Sequence, residues 1–205
     1  MFVQVIQGRT SDADGLRAAI DRWTEVLAPG AVGWLGTTGG VTEDGRTIAL
    51  VRFESEEAAR RNSERPEQDR WWAETEKLFD GGATFHESTD VVVDAHGDLD
   101  QAGFVQVMQG RTSDPGRARQ LMAQDPDTWA AFRPDVIGSV EVAYDGGAYT
   151  MALYFSSEAE AREREGKEMP LELRATMDEM NKITVEEPEF FDLRQPVLRS
   201  AMRSA

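Results

Sequence analysis

Two histidines, five tryptophans and no cysteine bound the chemistry open to this chain. His86 is the candidate proton-transfer group, because imidazole titrates nearest neutral pH. It falls in a predicted strand, where Phe85 and Glu87 face the other way. Trp71 and Trp72 are adjacent on a predicted helix and could wall an aromatic pocket. Gln4 and Gln106 are amides inside otherwise apolar strands. Buried there, each needs hydrogen-bond partners, from the scaffold or from a ligand. The competing readings are a half-exposed strand histidine, tryptophans packed at helical spacing, and glutamines satisfied by the scaffold. Arg9 and Arg111, beside Thr-Ser-Asp, read most simply as salt-bridged scaffold.

Other chemistries find no footing. With His86 and His96 far apart and no cysteine, no metal site is expected. Neither a glycine-rich phosphate loop nor a Ser-His-Asp arrangement can be read from the order of residues. A formal net charge of −16 argues against nucleic acid as a partner. No apolar stretch approaches the ~18 residues that span a bilayer. Met1 leads directly into FVQVIQG with no leader pattern, so a cytoplasmic protein is expected.

The elements that must hold these residues are written twice. Phe2–Asp12 reads FVQVIQGRTSD and Phe104–Asp114 reads FVQVMQGRTSD, an offset of 102 residues. The offset continues without a gap through Gly36/Gly138, Gly45/Gly147, Phe53/Phe155, Ser55/Ser157 and Arg60/Arg162. That period is too long for a solenoid and suits a whole small domain. Two domains are expected, 1–95 and 103–205, the second carrying a C-terminal tail with Arg194, Arg199 and Arg203. A polar linker, DAHGDLDQAG, joins them.

Within the first copy the spacing predicts a strand over Phe2–Gln7 and a helix carrying Leu16, Ile20, Trp23 and Leu27. Strands follow over Val32–Val41 and Thr47–Phe53 around the turn TEDGR. Ser55 is placed to cap a helix, and Pro66 to open a second helical piece with Trp71, Trp72 and Leu78. Thr84–Val93 closes the unit as a fourth strand. The second copy repeats this order, with Asp125 as the expected cap of a short piece holding Trp129 and Phe132. The order βαββαβ is the ferredoxin-like pattern, α+β in class. Val3, Val5, Val105 and Val107 lie on the sheet face that such a unit's own helices leave bare, and they require cover.

The layout, the length and the fused pair resemble the dimeric α+β barrel superfamily, with its antibiotic-biosynthesis-monooxygenase-like and stress-responsive A/B barrel branches. SERPEQDRWWAETEKLFDG (63–81) and TFHESTD (84–90) are similar to stretches in bacterial members to which no activity is attached. The resemblance implies a self-closed pseudo-dimer, with further homodimerisation compatible but not required. It also implies a small-molecule pocket between sheet and helices, which draws Gln4, Trp34, Asn62, Trp71, Trp72 and His86 of the first copy into one candidate site. Only Gln106 persists among these in the second copy. The haem-degrading branch uses Asn, Trp and His in a pattern this chain lacks, so no cofactor is expected. Two functions stay open. One is a cofactor-independent oxygenase on a small aromatic or polyketide-like molecule, with His86 as base and Gln4 and Asn62 as donors. The other is a non-catalytic ligand-binding or stress-related barrel.

Overall fold

The structure, a computed structural model, describes residues 1–201; Arg203 of the expected basic tail lies outside the described residues. Alternation of side chains makes β1 (Phe2–Arg9) a strand apolar on both faces. Asp12 caps α1 (Ala13–Val26) by accepting from the Gly15 amide. β2 (Trp34–Val41) starts two residues later than expected, and its turn leads into β3 (Arg46–Phe53). Ser55 caps α2 (Glu56–Ser63), and Pro66 opens α3 (Pro66–Thr75), both as expected. The second copy has β6 (Phe104–Thr112), α4 (Pro115–Met122), α5 (Pro126–Phe132), β7 (Val136–Ala143), β8 (Ala148–Phe155), α6 (Glu158–Glu165), α7 (Leu171–Ile183) and β9 (Thr184–Leu193). Asp125 does precede α5, but it is left-handed (φ 51°) and its side chain caps nothing.

The expected strand Thr84–Val93 is two strands, β4 (Thr84–Ser88) and β5 (Val91–Ala95). β4 pairs with β1, whereas β5 joins β7 of the second sheet. Part of the expected linker is thus sheet. After β9, the segment expected as a basic tail forms β10 (Val197–Ser200), which pairs with β2 of the first sheet. The sheet orders are β10-β2-β3-β1-β4 and β5-β7-β8-β6-β9, and β1 with β3 and β4, β2 with β3 and β10, β6 with β8 and β9, and β7 with β8 pair antiparallel. The chain accordingly divides into two compact units, Met1–Val91 with Gln195–Ala205, and Val92–Arg194. Each unit's edge strand is contributed by the stretch that follows the other repeat. Backbone hydrogen bonding supplies the reason: an exposed strand edge offers unpaired N–H and C=O groups, and the added strand satisfies them.

The exchange leaves a matching mark in each copy. Register shifts fall between Trp34 and Gly36 and between Val136 and Gly138. A Cβ at Gly36 would stand 2.7 Å from the Arg199 carbonyl of β10. At Gly138 it would stand 2.6 Å from the Asp94 carbonyl of β5. Glycine is required where the foreign strand's backbone passes this close.

In the first unit the helix-facing core is Phe2, Phe53 and Trp34 from the sheet against Trp23, Leu27, Ala58 and Ala59. In the second it is Phe104 and Phe155 against Ala161. The opposite faces are sealed more completely: Val3, Val5, Ile48, Leu50, Val105, Val107 and Ala152 have no exposure. No helix among the described residues is long and apolar enough to cross a membrane.

Candidate functional site

The first sheet's register sorts the expected site residues onto two faces. Directly opposed residues in an antiparallel pair share a face. Gln4 opposes Glu87 and Ile6 opposes Phe85, all on the helix side with Phe2. Val5 opposes His86, so His86 shares the helix-free face with Val3 and Val5. The expected grouping of His86 with Gln4 and the tryptophans is therefore corrected. Residues 85 and 87, not 86, project toward the helices, and His86 is exposed on the edge strand β4.

Gln4 is partly buried and satisfied: its amide donates to Glu87 at 2.7 Å. Gln106 makes the same cross-strand bond to Asp192 at 2.9 Å. The pair is thus a repeated scaffold feature. Asn62 is buried at the end of α2, where its carbonyl oxygen accepts from Arg65 at 2.9 Å. Arg65 in turn donates to the Leu27 carbonyl, tying α2 to the end of α1.

The tryptophans do meet, through a residue that drew no notice as a site candidate. Trp23 of α1 stands edge-on to Trp34 (ring centroids 5.1 Å apart) and 6.3 Å from Trp71. Trp71 adjoins Trp72 at 6.1 Å, and Trp72 meets Phe85 edge-on at 5.2 Å. Four indoles and a phenyl ring therefore run in one file across the helix face of the sheet. Each of the first three indole N–H groups has a fixed acceptor: Trp23 donates to Gln68, Trp34 to Thr37, and Trp71 to the Ala19 carbonyl. Such pairs add about 0.5–1.5 kcal/mol each beyond their buried area.

At Trp71 this file reaches a cleft of about 530 Å³ between α1 and α3, within the roughly 300–1,000 Å³ usual for ligand sites. It is lined by Gly15, Ala18, Ala19 and Arg22 on one side and by Trp71, Glu74, Thr75 and Leu78 on the other. Both sets follow the i, i+3, i+4, i+7 rule of a single helix face. Three small residues on α1 hollow out one wall, and the Trp71 ring and Leu78 give the other its apolar surface. Arg22 and Glu74 are exposed at the rim, where Glu74 is ion-paired with Lys77 at 2.7 Å. Of the residues expected in the site, only Trp71 lines this cleft. The sequence did carry a signal for it: the glycine and alanines of ADGLRAAIDR recur at helical spacing opposite the tryptophan helix. Among the described residues no group of three or more His, Asp or Glu could hold a metal ion.

No family model matches the chain, and no curated protein matches it either. Solved structures share its fold. A "putative monooxygenase" from Fusobacterium nucleatum superposes with a TM-score of 0.74 at 9% identity, covering 97% of this chain and 94% of its own. A protein of the same description from Lactobacillus acidophilus gives 0.72 at 10% identity, covering 97% and 95%. An anthrone oxidase-like protein gives 0.65 at 11% identity, covering 98% and 91%. At these identities the similarity establishes the fold: α+β, two ferredoxin-like units in tandem, the class expected from the repeat.

Proposed function

We propose that the protein binds a small, planar, largely apolar molecule in the α1–α3 cleft of its first unit. One observation carries this reading: two helix faces with matched spacing line an open cleft of about 530 Å³, with Trp71 in its wall. The indole's N–H is already committed to Ala19, so the ring offers a stacking surface rather than a donor. Arg22 at the rim suits a polar or acidic edge on the ligand.

A second reading, cofactor-independent monooxygenase-like chemistry on an aromatic or polyketide-like substrate, draws support from the shared fold with an anthrone oxidase-like protein. Conversion of a substrate CH₂ to C=O with O₂ yields one water, and it needs a base that removes the first proton. Within the cleft the group able to do so is Glu74; His86, on the sheet's other face, does not reach it. We also read 1–95 and 103–205 as copies of one ancestral unit. In this reading the chain is a self-closed pseudo-dimer, supported by the burial of Val3, Val5, Ile48 and Leu50, and of Val105, Val107 and Ala152, on the helix-free sheet faces.

The test fills the cleft. Ala18 is exposed on α1, so Ala18→Trp occupies the space without entering the core. Anthrone titrated into the wild type should quench tryptophan fluorescence saturably, and Ala18→Trp should abolish that response with the fold intact. An undiminished response would remove the cleft from consideration. Oxygen uptake in an electrode, one O₂ per anthrone consumed and lost in Glu74→Gln, would establish the oxygenase; binding without uptake leaves the binder.

A further inference from the structure

We propose that the ligand of the α1–α3 cleft is an aromatic carboxylic acid, bound as its anion with the carboxylate on Arg22 and the ring beside Trp71, a proposal that rests on that cleft being a ligand site. Three bonds fix how the two helices lie. Trp23 donates to Gln68, Trp71 to the Ala19 carbonyl, and Ser11 to Asp80. Higher numbers on α1 meet lower numbers on α3, so the helices run antiparallel. Arg22 therefore stands at the Trp71 end of the cleft and Gly15 at the Leu78 end. One end is cationic and aromatic, and the other is apolar.

Arg22 is the cleft's charge without a counterion. Glu74, on the opposite wall, is paired with Lys77 at 2.7 Å. Among the described residues none hydrogen-bonds or ion-pairs with Arg22, not even Glu25 three positions along the helix. The other charges near it are committed. On α1, Arg17 donates to the Gln195 carbonyl and Asp21 pairs with Arg199 at 2.6 Å. On α2 and at the start of α3, Arg60 pairs with Glu64, Arg61 with Glu57 and Arg65 with Glu67. Acidic residues outnumber basic ones by 38 to 22 in this chain, so an arginine without an acid at the mouth of a cleft stands out. Arg22 is exposed, so water solvates it and its place costs the fold little.

The second copy lacks both halves of the arrangement. By the offset of 102 residues, Gly15, Ala18 and Ala19 become Arg117, Gln120 and Leu121, and Arg22 becomes Gln124. The small residues and the cation occur together in the first copy and are lost together in the second. A flat aromatic acid has the matching form: a carboxylate on one edge and apolar ring over the rest. The planar guanidinium fork takes the two carboxylate oxygens at once. The ring then lies along the cleft toward Gly15 and Leu78.

Calorimetric titration of the full chain at low ionic strength compares sodium naphthoate with naphthamide, an uncharged molecule of nearly the same shape. Naphthoate should bind one-to-one and about tenfold more tightly than naphthamide, the scale of one charge-assisted hydrogen bond. Naphthoate binding with no measurable naphthamide heat supports the assignment equally. Arg22→Gln, which installs the second copy's residue at an exposed position, should bring naphthoate down to the affinity of naphthamide and leave naphthamide unchanged. In the wild type, added salt should weaken naphthoate alone, a readout that needs no variant. Ala18→Trp should abolish binding of both. Equal affinities in the wild type, or undiminished naphthoate binding in Arg22→Gln, overturns the acid while the cleft stands as a ligand site. Naphthoate binding that survives Ala18→Trp lies elsewhere and overturns it too. Binding of neither molecule removes the cleft as a ligand site, and the acid with it.

Discussion

At equivalent depths in their sheets the two units carry Gln7 and Gln109, Ile48 and Thr150, Arg52 and Tyr154. In the second unit this set is satisfied internally. Gln109 donates to Thr150 at 2.9 Å, and Tyr144 donates to the same hydroxyl at 3.2 Å. In the first unit Ile48 stands in place of that hydroxyl, the Gln7 carbonyl oxygen is sealed without a partner, and Arg52 replaces the neutral phenol. Aromatic residues divide the same way. Trp23, Trp34, Trp71 and Trp72 file across the first unit, whereas all three tyrosines belong to the second. Duplication preserved the frame and let the two copies diverge in what fills it. The second copy pairs this polar set internally, and the aromatic cleft lies in the first. Unsatisfied buried groups cost stability, so a fold retains them where something else pairs with them.

The frame itself offers the hardest test of equivalence. Phe2 and Phe104 occupy matching places in their helix-facing cores. Either one changed to alanine should cost about 3–5 kcal/mol in urea melts. A loss below about 1 kcal/mol for one of them would mean the two cores are not built alike.

Thr150→Val in the second unit should cost about 1–3 kcal/mol, since Gln109 and Tyr144 then lose their acceptor. An unchanged melting temperature would break the claim that this network is what the first unit lacks.

The smallest effect is alkaline. Burial pushes the Tyr144 and Tyr149 hydroxyls above the ordinary phenol range, and the charge of Glu141 adds to the shift at Tyr149. The folded state therefore favours neutral phenols. That contribution is complete below the unfolded value of about 10 and is lost as pH rises through the folded values. Tyr149→Phe should flatten the fall of melting temperature above about pH 10. An identical fall in that variant would assign the alkaline loss elsewhere.

Much of the frame was legible in sequence because it rests on local rules. The FVQV repeats alternate, Asp12 and Ser55 precede helical stripes, Pro66 opens a helix, and Asp44-Gly45 turns a hairpin. Each depends on residues within a few positions of one another, and duplication confirmed each reading by supplying it twice. Gln4 and Gln106 were legible only as amides that need partners; that Glu87 and Asp192 supply them, and not a ligand, was decided by strand pairing.

What tertiary structure alone decided depends on pairings across long stretches of chain. Thr84–Val93 reads as one apolar strand, and only the competition between two sheet edges divides it, sending β4 to β1 and β5 to β7. The arginines after Asp192 suggested a solvated tail, yet Val197 and Leu198 are buried against β2. The face on which His86 lies follows from its register with Val5, and a slip of one residue would have reversed it. Trp23 read as an ordinary core position until α1 was set between Trp34 and Trp71. Propensity, capping and periodicity are properties of a segment. Which edge a strand satisfies, which face it turns inward, and which buried polar atom is left without a partner are properties of the assembled sheet.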